Sequence, residues 1–266
     1  MKIKIFFLLS CFAITLNAHH YAHDTLKISY ASNWAPYSYK NKKTGKTDGV
    51  LIRLMDELLS KKLGIKLLHE IQPWARAQVS VEIGTLDALF THATKNRLEY
   101  TISSQPFYSL EWYLFVSTKN SHFKEIMDSD NPLENKDFTF ISLIGDKTTQ
   151  NIYNEQGLKY YNLKSVTEAI RMLNSGRSSL FLHSKLAALS AIYDLDLSDK
   201  IKIHKKEYKK VQFSFLLSKK TPHAEKIIEQ LNKLIDQMKK DGSLQKLIKK
   251  LENEEVIKLL KKNKLY

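Results

Sequence analysis

A threonine and an arginine, Thr94 and Arg97, follow a short apolar run and are candidates for binding an anionic group. A guanidinium presents a planar pair of N–H donors that matches the two oxygens of a carboxylate, and a nearby hydroxyl adds a further donor. The alternative for Arg97 is a surface ion pair with Glu99 or another acid. Which interpretation holds depends on where the fold places this stretch.

Aromatic residues lie in comparable stretches elsewhere in the chain. Trp34 and Tyr37 belong to "NWAPY" and Trp74 belongs to "QPW", where adjacent prolines indicate loops. These rings could line a ligand-binding cleft or could be core aromatics, and both interpretations stay open. Together with Thr94 and Arg97 they would form a cleft for a small organic molecule that bears an anionic group.

Histidines offer weaker candidates. His92 precedes Thr94 by two residues, but such a histidine is more often a hydrogen-bonded structural residue than a ligand contact. His19, His20 and His23 could hold a transition metal, although histidines near a terminus are usually only exposed. The sequence has no nucleophile-elbow motif, no phosphate-binding glycine loop and no zinc signature. It therefore predicts no catalytic residue, no metal site and no cofactor.

Hydrophobic periodicity predicts the elements that would position these side chains. "LKISYA" alternates as a strand does, and "VLIRLMDELLSKKLG" has apolar residues at helical spacing up to Gly64. "IKLLHE" follows as a strand, "WARAQVSVEIG" as a helix and "LDALFT" as a buried strand. This βαβαβ order predicts parallel strands with right-handed crossovers.

A second unit of the same order follows "WYLFVS". It comprises the strand "FTFISLI", the helix "TTQNIYNEQG", the strand "LKYYNL", a helix that opens at Ser165 with a capping-box pattern, and the strand "SLFL". The last quarter is predicted to be helical, with Thr221 as a cap, Pro222 in the first turn and a break at "DGS".

The sequence thus predicts an α/β protein with two βαβαβ lobes, which the crossings "WYLFVS" and "VQFSFLLS" join as a two-strand hinge. In open parallel sheets, ligands bind beyond the carboxyl ends of the strands. The loops "NWAPY", "QPW", "HATKNR", "GDKTT" and "HSK" all follow predicted strands. They are therefore expected to converge on one cleft.

The N-terminal residues have the pattern of a cleaved export signal. Lys2 and Lys4 form a basic start, an apolar stretch follows, and Ala18 is a small residue suited to cleavage, so residues 1–18 are predicted to be a signal peptide. Cys11, the single cysteine, lies inside that stretch, and a lipid anchor on it is the less favoured alternative. The sequence predicts a soluble, disulfide-free periplasmic protein.

The formal net charge is +14, which raises the possibility of nucleic-acid binding. The lysines are spread along segments such as "KKLGIK" and "KIKIHKKEYKK", which were expected to be helix faces covered by solvated side chains. Export also argues against a nucleic-acid partner. No nucleic-acid function is predicted.

The chain resembles the family 3 periplasmic solute-binding proteins of ATP-driven importers, which include polar amino acid binding proteins. The matching stretches are "APYSY" with "GKTDGVLIRLMDELLSKKLG", "PWARAQVSVEIGTLDALF", "ATKNRLEYTISSQPFY", "LNSGRSSLFLHS" and "DGSLQKLIKK". The resemblance implies two α/β lobes that close on a ligand. It also implies that lobe 1 combines residues 24–116 and 215–266, whereas residues 117–214 form lobe 2.

The resemblance further implies roles for individual residues. In amino acid binders of this family an arginine three residues after a threonine grips the ligand carboxylate, and Thr94 and Arg97 have that spacing. An aspartate holds the ligand ammonium, but Ser184 stands at the corresponding position. A glycine often precedes the lobe 2 threonine, where Lys147 precedes Thr148 here. A cleft with Arg97 and no obvious acid is expected to prefer an anion to a zwitterion.

The expected function is capture of a small, carboxylated or anionic solute by a monomer, for delivery to an inner-membrane ABC permease. One alternative is a small-molecule lyase or dehydratase on the same fold, with His92 and Glu111 as nominal acid–base residues. Another is a soluble sensory subunit that docks on a membrane receptor. The sequence leaves open which solute binds and whether that solute is an amino acid or another anion.

Overall fold

The protein was analysed as a computed structural model, which describes residues 25–32, 34–41 and 44–262. The predicted signal peptide, Cys11 and the N-terminal histidines lie outside the described residues. The first part of the chain contains the following elements in order: β1 (Leu26–Ala31), β2 (Tyr39–Lys40), β3 (Thr47–Asp48), α1 (Val50–Met55), a π-helical continuation (Asp56–Lys62), β4 (Leu67–Gln72), α2 (Trp74–Ile83), β5 (Ala88–Thr91), α3 (Lys95–Tyr100) and β6 (Thr101–Ser103).

The second part begins with a long strand and ends with two helices. Its elements in order are β7 (Tyr108–Ser117), α4 (Phe123–Asp128), a 3₁₀ turn (Pro132–Glu134), β8 (Thr139–Leu143), α5 (Lys147–Glu155), β9 (Lys159–Leu163), α6 (Val166–Asn174), β10 (Leu180–Ser184), α7 (Lys185–Asp194), β11 (Ile201–Ser218), α8 (Ala224–Lys240) and α9 (Ser243–Lys262).

Two parallel sheet segments form the two lobes of an α/β fold, as the sequence predicted. The strand order is β4-β1-β5-β11-β7-β10-β8-β9, with β6 also paired to β11. In lobe 1, β4, β1 and β5 are parallel, and in lobe 2, β9, β8 and β10 are parallel. In each lobe the first parallel strand lies between the other two. The strand order therefore reverses beside it, where such sheets leave a crevice.

The two lobes are connected by β7 and β11, which cross between them as an antiparallel pair. β11 pairs with β7 up to Phe213 and with β5 from Ser214 onward. This change of partner lies beside residue 215, where the sequence predicted the second lobe boundary. β7 pairs with β10 between Trp112 and Phe115 and with β11 between Tyr108 and Ser117. The boundary positions themselves remain a prediction.

Caps and glycines determine where several of these helices begin and end. α6 has Ser165 as its N-cap, whose hydroxyl accepts a hydrogen bond from the Glu168 N–H at 3.2 Å, as the capping-box pattern predicted. α2 ends at Gly84, whose φ of 86° lies in the left-handed region that favours glycine. α8 begins at Ala224 rather than at the predicted Thr221 and Pro222.

One predicted helix face is wrong. The lysine-rich segment "KIKIHKKEYKK" lies in strand β11 and not on a helix. Its start alternates buried Ile201 with exposed Lys202, which is the two-residue period of a strand with one face in the core. A lysine-rich composition fits a helix or a strand equally well, whereas the alternation of buried and exposed residues indicates a strand.

The C-terminal helices pack on lobe 1, with α9 against α1 and α8 against β6. Arg53 of α1 fixes part of this contact by bonding Asp48 at 2.7 Å and Glu255 of α9 at 2.7 Å. Glu255 is almost fully buried, so its charge needs this partner. Among the residues described, no helix has the length and apolar content needed to cross a membrane.

Candidate functional site

A cavity of about 350 Å³ lies between the lobes, at the edge where the parallel strands end. Each of the five strand-end loops contributes to its wall. The contributing residues include Trp34, Trp74, His92, Asp146 and His183. Since β1 and β5 of lobe 1 face β8 and β10 of lobe 2 across the crevice, parallel-sheet topology explains the convergence.

The wall of this cavity is mainly aromatic and aliphatic. Besides the two tryptophans named above, its apolar lining includes Tyr30, Leu51, Phe90, Trp112, Leu143, Ile144, Val166 and Phe213. The charged lining residues among those described are Asp146 and Lys164, of which Lys164 is exposed. The space is of the size that accommodates a small organic molecule.

Arg97 lies behind this wall, with only 2% of its surface exposed. Its Nε and Nη2 donate to the Gln78 Oε1 at 3.2 and 2.8 Å, and its Nη1 donates to the His92 carbonyl at 2.9 Å. The guanidinium also lies over the Trp74 ring, 5.1 Å from its centroid. Burial lowers the pKa of Arg97 from 12.5 to about 10.

No carboxylate of the described residues lies within ion-pair distance of Arg97. Its partners are neutral instead: the Gln78 amide oxygen, the His92 carbonyl and, at 3.3 Å from Nη1, the His92 ring nitrogens. A buried cation held only by neutral groups is incompletely compensated, because charge-assisted bonds to a carboxylate are the stronger interaction. The surface pair with Glu99 that the sequence left open is not formed.

Thr94 positions Arg97 through the backbone. Thr94 is the N-cap of α3, and its hydroxyl accepts a hydrogen bond from the Arg97 N–H at 3.3 Å. The cap fixes the first turn of the helix and hence the direction from which Arg97 enters the interior. The spacing of three residues between them therefore has a local structural cause.

Direct contacts join the two lobes across the cleft. The Thr148 hydroxyl bonds Nε2 of His92 at 2.6 Å, and the Trp34 indole N–H donates to Nε2 of His183 at 3.2 Å. Both bonds connect a lobe 1 loop to lobe 2. The structure is therefore in a closed arrangement.

Both histidines of these contacts are neutral. Burial lowers the pKa of His183 to about 3, and burial together with the Arg97 charge lowers the pKa of His92 to about 3. Because Nε2 of His183 accepts from Trp34, the proton of its neutral ring is assigned to Nδ1. That Nδ1 and the Trp112 Nε1 have no hydrogen-bond partner among the described residues.

Three other predicted site residues lie away from the wall. Tyr37 is buried and packs on Trp34, with ring centroids 4.7 Å apart. Ser184 is buried at the end of β10, close enough to the Tyr37 phenol to influence its pKa, though not in standard hydrogen-bond geometry. Lys147 is exposed at the start of α5. Their roles in binding stay predictions.

The expectation of a cleft without an acid is wrong, because Asp146 lines the cavity. Asp146 belongs to the loop "GDKTT", but the family pattern places the acid at the position that Ser184 occupies. Gln78, which bonds Arg97, was also missed, since a glutamine within a predicted helix gives no sign that it points inward. The position of α2 beside α3 is what brings Gln78 to Arg97.

The described part of the chain contains no group of three or more His, Cys, Asp or Glu side chains that could hold a metal ion. The N-terminal histidines are outside that part and are not tested.

Comparisons with known proteins agree with the two-lobed architecture. The chain matches the bacterial extracellular solute-binding proteins, family 3, over residues 26–253. It is 24% identical over 238 residues to the probable amino-acid-binding protein YxeM of Bacillus subtilis (strain 168), covering 88% of this chain and 86% of that protein. It is 22% identical over 235 residues to the L-cystine-binding protein TcyA of the same organism, covering 88% and 83%.

A solved structure gives the same architecture. An ancestral arginine-binding protein bound to arginine superimposes with a TM-score of 0.69 and 22% sequence identity, covering 85% of this chain and 97% of that chain. At this level of identity the likeness concerns the fold. It agrees with two α/β lobes around a central cleft.

Replacing His183 tests whether the lobe contact depends on a neutral imidazole. The unfolded chain binds a proton at this histidine near pH 6.5, whereas the folded chain does so only near pH 3. The stability that His183 contributes is therefore complete above pH 6.5 and is lost as the pH falls toward 3, by at most about 1.4 kcal/mol per pH unit. Urea unfolding between pH 7.5 and 4.5 should show a smaller pH dependence for His183→Gln than for the unmodified protein. The exposed His122→Gln should change it much less, and equal slopes for all three proteins would contradict the assignment.

Changing Gln78 to glutamate tests whether Arg97 lacks a counter-charge. The new carboxylate would stand where the Gln78 amide oxygen lies, 2.8 Å from Nη2 of Arg97. The free energy of unfolding without added solute should rise by on the order of 1 kcal/mol, after the cost of burying the carboxylate. Gln245→Glu, which adds the same charge at an exposed position of α9, is the control for urea unfolding. A less stable Gln78→Glu protein would indicate that Arg97 is already compensated.

Proposed function

The chain belongs to the bacterial extracellular solute-binding proteins of family 3, and from this premise we propose that it captures a small carboxylate-bearing solute between its lobes. The captured solute would then be presented to an ATP-driven importer in the membrane. The predicted export signal agrees with a periplasmic location. The names of the relatives YxeM and TcyA, which refer to amino acid and L-cystine binding, support a carboxylate-bearing solute.

One observation carries the proposal: Arg97 is a buried cation whose planar fork meets neutral acceptors, with no carboxylate of the described residues in contact. A carboxylate is the group that complements a guanidinium in both shape and charge. Gln78 is neutral, so its rotation away from Arg97 uncovers no second charge, and the solute carboxylate would take over the N–H groups of Arg97 that Gln78 releases. A solute carboxylate could therefore replace Gln78 as the partner of Arg97.

The rest of the cavity favours a solute with an apolar body. Trp34, Phe90, Trp112 and Phe213 are among the aromatic residues that line it. Burying such surface is favourable by about 25 cal/mol per Å², so an apolar part of the solute would add affinity. A polar sugar-like body would lose hydration in this cavity without enough partners.

Closure of the two lobes is the change that would signal a bound solute. A solute shifts the equilibrium between open and closed states only as far as it binds the closed state more tightly. The contacts of Thr148 with His92 and of His183 with Trp34 form only when the lobes meet. A solute that also bridges the lobes would add to these two bonds, so a monomer could report occupancy by its shape.

Capture without chemical conversion is part of the proposal. Of the two nominal acid–base residues, His92 is neutral with a pKa near 3 and bonds Thr148, so it is poorly suited to accept a proton at neutral pH. Glu111 is not among the described residues that line the cavity. The solute should be recovered unchanged after incubation with the protein.

Arg97→Ala tests the proposed carboxylate contact. We expect it to weaken binding of carboxylate-bearing probes by on the order of 2 to 5 kcal/mol, the range for truncating one partner of a buried charged pair. Arg97→Lys should recover only part of the loss, because an ammonium cannot make the bidentate contact. Isothermal titration calorimetry with a panel of amino acids and their deaminated analogues measures both effects.

Arg76→Ala is the matched control, since Arg76 is an exposed arginine on the neighbouring helix α2. Circular dichroism should show that all three variants keep the fold. Affinities that are the same for Arg97→Ala and Arg76→Ala would refute the carboxylate site.

A further inference from the structure

Two buried N–H groups belong to the cavity wall and have no acceptor. The indole Nε1 of Trp112 and the imidazole Nδ1 of His183 find no hydrogen-bond partner among the residues that the structure describes. Both residues line the cavity, and their surfaces are only 5% and 4% exposed. Buried N–H groups in folded proteins are nearly always paired, so two unpaired ones in a single cavity wall require an explanation.

His183 presents a donor at Nδ1 rather than an acceptor. The Trp34 indole N–H donates to its Nε2 at 3.2 Å, so Nε2 carries no proton. The proton of the neutral ring is then assigned to Nδ1. Burial, which lowers the pKa of His183 to about 3, keeps the ring neutral. Trp112 and His183 therefore each offer one uncharged N–H donor.

The chain around these two residues supplies no acceptor for them. Ser184 lies opposite Trp112 in the antiparallel pair of β7 and β10, yet its own hydroxyl is without a partner in the described part of the chain. The ring centroids of Trp112 and His183 are 6.2 Å apart. Rings this close allow one oxygen with two lone pairs to accept from both N–H groups. We call Trp112 and His183 the donor pair.

We infer that the donor pair binds an uncharged carbonyl oxygen, of a ketone or an amide, on the body of the solute whose carboxylate contacts Arg97. This inference rests on the proposed function and specifies the solute further. A carbonyl oxygen has two lone pairs and no charge, which matches two neutral donors. A second carboxylate at this place would need a cation, and neither donor carries a charge.

Aromatic rings separate the donor pair from Arg97. Nη1 of Arg97 is 3.3 Å from the His92 ring nitrogens, and the His92 ring centroid is 6.2 Å from that of Phe213. The Phe213 and Trp34 centroids are 6.0 Å apart, and those of Trp34 and His183 are 6.4 Å apart. The carbonyl should consequently be several bonds from the carboxylate, with an apolar stretch of the solute against Phe213 and Trp34.

Closure gives the donor pair an influence on which solutes are held. In the closed arrangement neither N–H group is exposed to water. Closure around a solute without an acceptor leaves both donors unpaired, which is unfavourable, whereas a carbonyl pairs them. A carbonyl-bearing solute should therefore favour the closed state more than a solute of the same length that lacks the carbonyl.

Keto acids and their methylene analogues are the probes. β-Benzoylpropionate is paired with γ-phenylbutyrate, and δ-benzoylvalerate is paired with ω-phenylhexanoate, so that within each pair a methylene replaces the carbonyl. The two pairs place the carbonyl at different distances from the carboxylate. In an apolar cavity without donors the methylene acid would bind more tightly, because the carbonyl loses its hydration. Isothermal titration calorimetry gives the ratio of affinities within each pair.

Trp112→Phe is the main variant, because phenylalanine keeps an aromatic ring and removes the N–H. His183→Phe removes the second donor, and it also removes the acceptor of Trp34, so it should weaken both members of a pair. The ratio within a pair cancels that shared loss. Tyr113→Phe is the matched control, since it removes a hydroxyl from the next residue of β7, which is not among the described residues that line the cavity.

The unmodified protein should bind at least one keto acid about 30-fold more tightly than its methylene analogue, because each hydrogen bond to a buried donor contributes about 10-fold and dehydration of the carbonyl offsets part of this. Trp112→Phe and His183→Phe should each lower that ratio about 10-fold, and Tyr113→Phe should leave it unchanged. A methylene acid that binds as tightly as its keto acid, or a ratio that neither variant alters, would overturn the inference.

The inference and the proposed function fail in different ways. If both members of a pair bind equally and both require Arg97, the carboxylate site stands and the role of the donor pair is overturned. If the keto acid is preferred through Trp112 but Arg97→Ala changes neither affinity, the donor pair stands and the carboxylate site is overturned. If no probe binds, both are overturned. Circular dichroism checks that each variant keeps the fold.

Discussion

A buried guanidinium that meets no carboxylate of the described residues constrains the whole cleft. Arg97 is buried away from water, so its positive charge has to be stabilised by the groups that surround it. Gln78 and the His92 carbonyl offer oxygens, Trp74 offers the face of its ring, and the Thr94 cap fixes the helix that carries the charge. The neighbouring imidazole of His92 remains neutral because burial lowers its pKa and the Arg97 charge lowers it further.

The two-lobed architecture couples this local arrangement to the relative position of the lobes. β7 and β11 pair with each other, and β11 also pairs with β5 of lobe 1. The connection between the lobes is therefore short and is held by sheet hydrogen bonds. Asp146 of lobe 2 lines the cavity, Arg97 of lobe 1 lies behind its wall, and the lining is largely apolar. Such a cleft can combine ionic specificity at its ends with non-directional affinity along its walls.

Much of the fold could be predicted from the sequence, because hydrophobic periodicity and glycines fix local structure. The strand "LKISYA" is β1 from end to end, and the cap at Ser165 lies where its pattern predicted. The lysine-rich start of β11 was missed, since exposed lysines occur on strands and helices alike. The small hairpin of β2 and β3 and the helix α7 were also not foreseen.

The cleft was foreseen less completely, for a physical reason. Loop positions after parallel strands located the cavity, yet whether a side chain points into it depends on packing that spacing does not encode. Packing brings Asp146 to the cavity wall and Gln78 to Arg97, and the spacing of the sequence predicts neither placement. Ser184, in contrast, is recognisable in the sequence because it replaces the aspartate of the family pattern. A comparison that follows a single aligned position overlooks a charge supplied from the neighbouring strand.

Gly145 adds a steric condition to the closed arrangement. A β-carbon at this position would lie 3.2 Å from the Ala75 backbone nitrogen and 3.3 Å from Cδ1 of Trp74, both on the opposite lobe, and the φ of 85° is itself unfavourable for other residues. The absence of a side chain is therefore what lets the two rims touch. Any larger residue would have to displace the facing rim by a few tenths of an ångström and adopt an unfavourable φ, so it would destabilise the closed arrangement relative to an open one while leaving the binding groups unchanged.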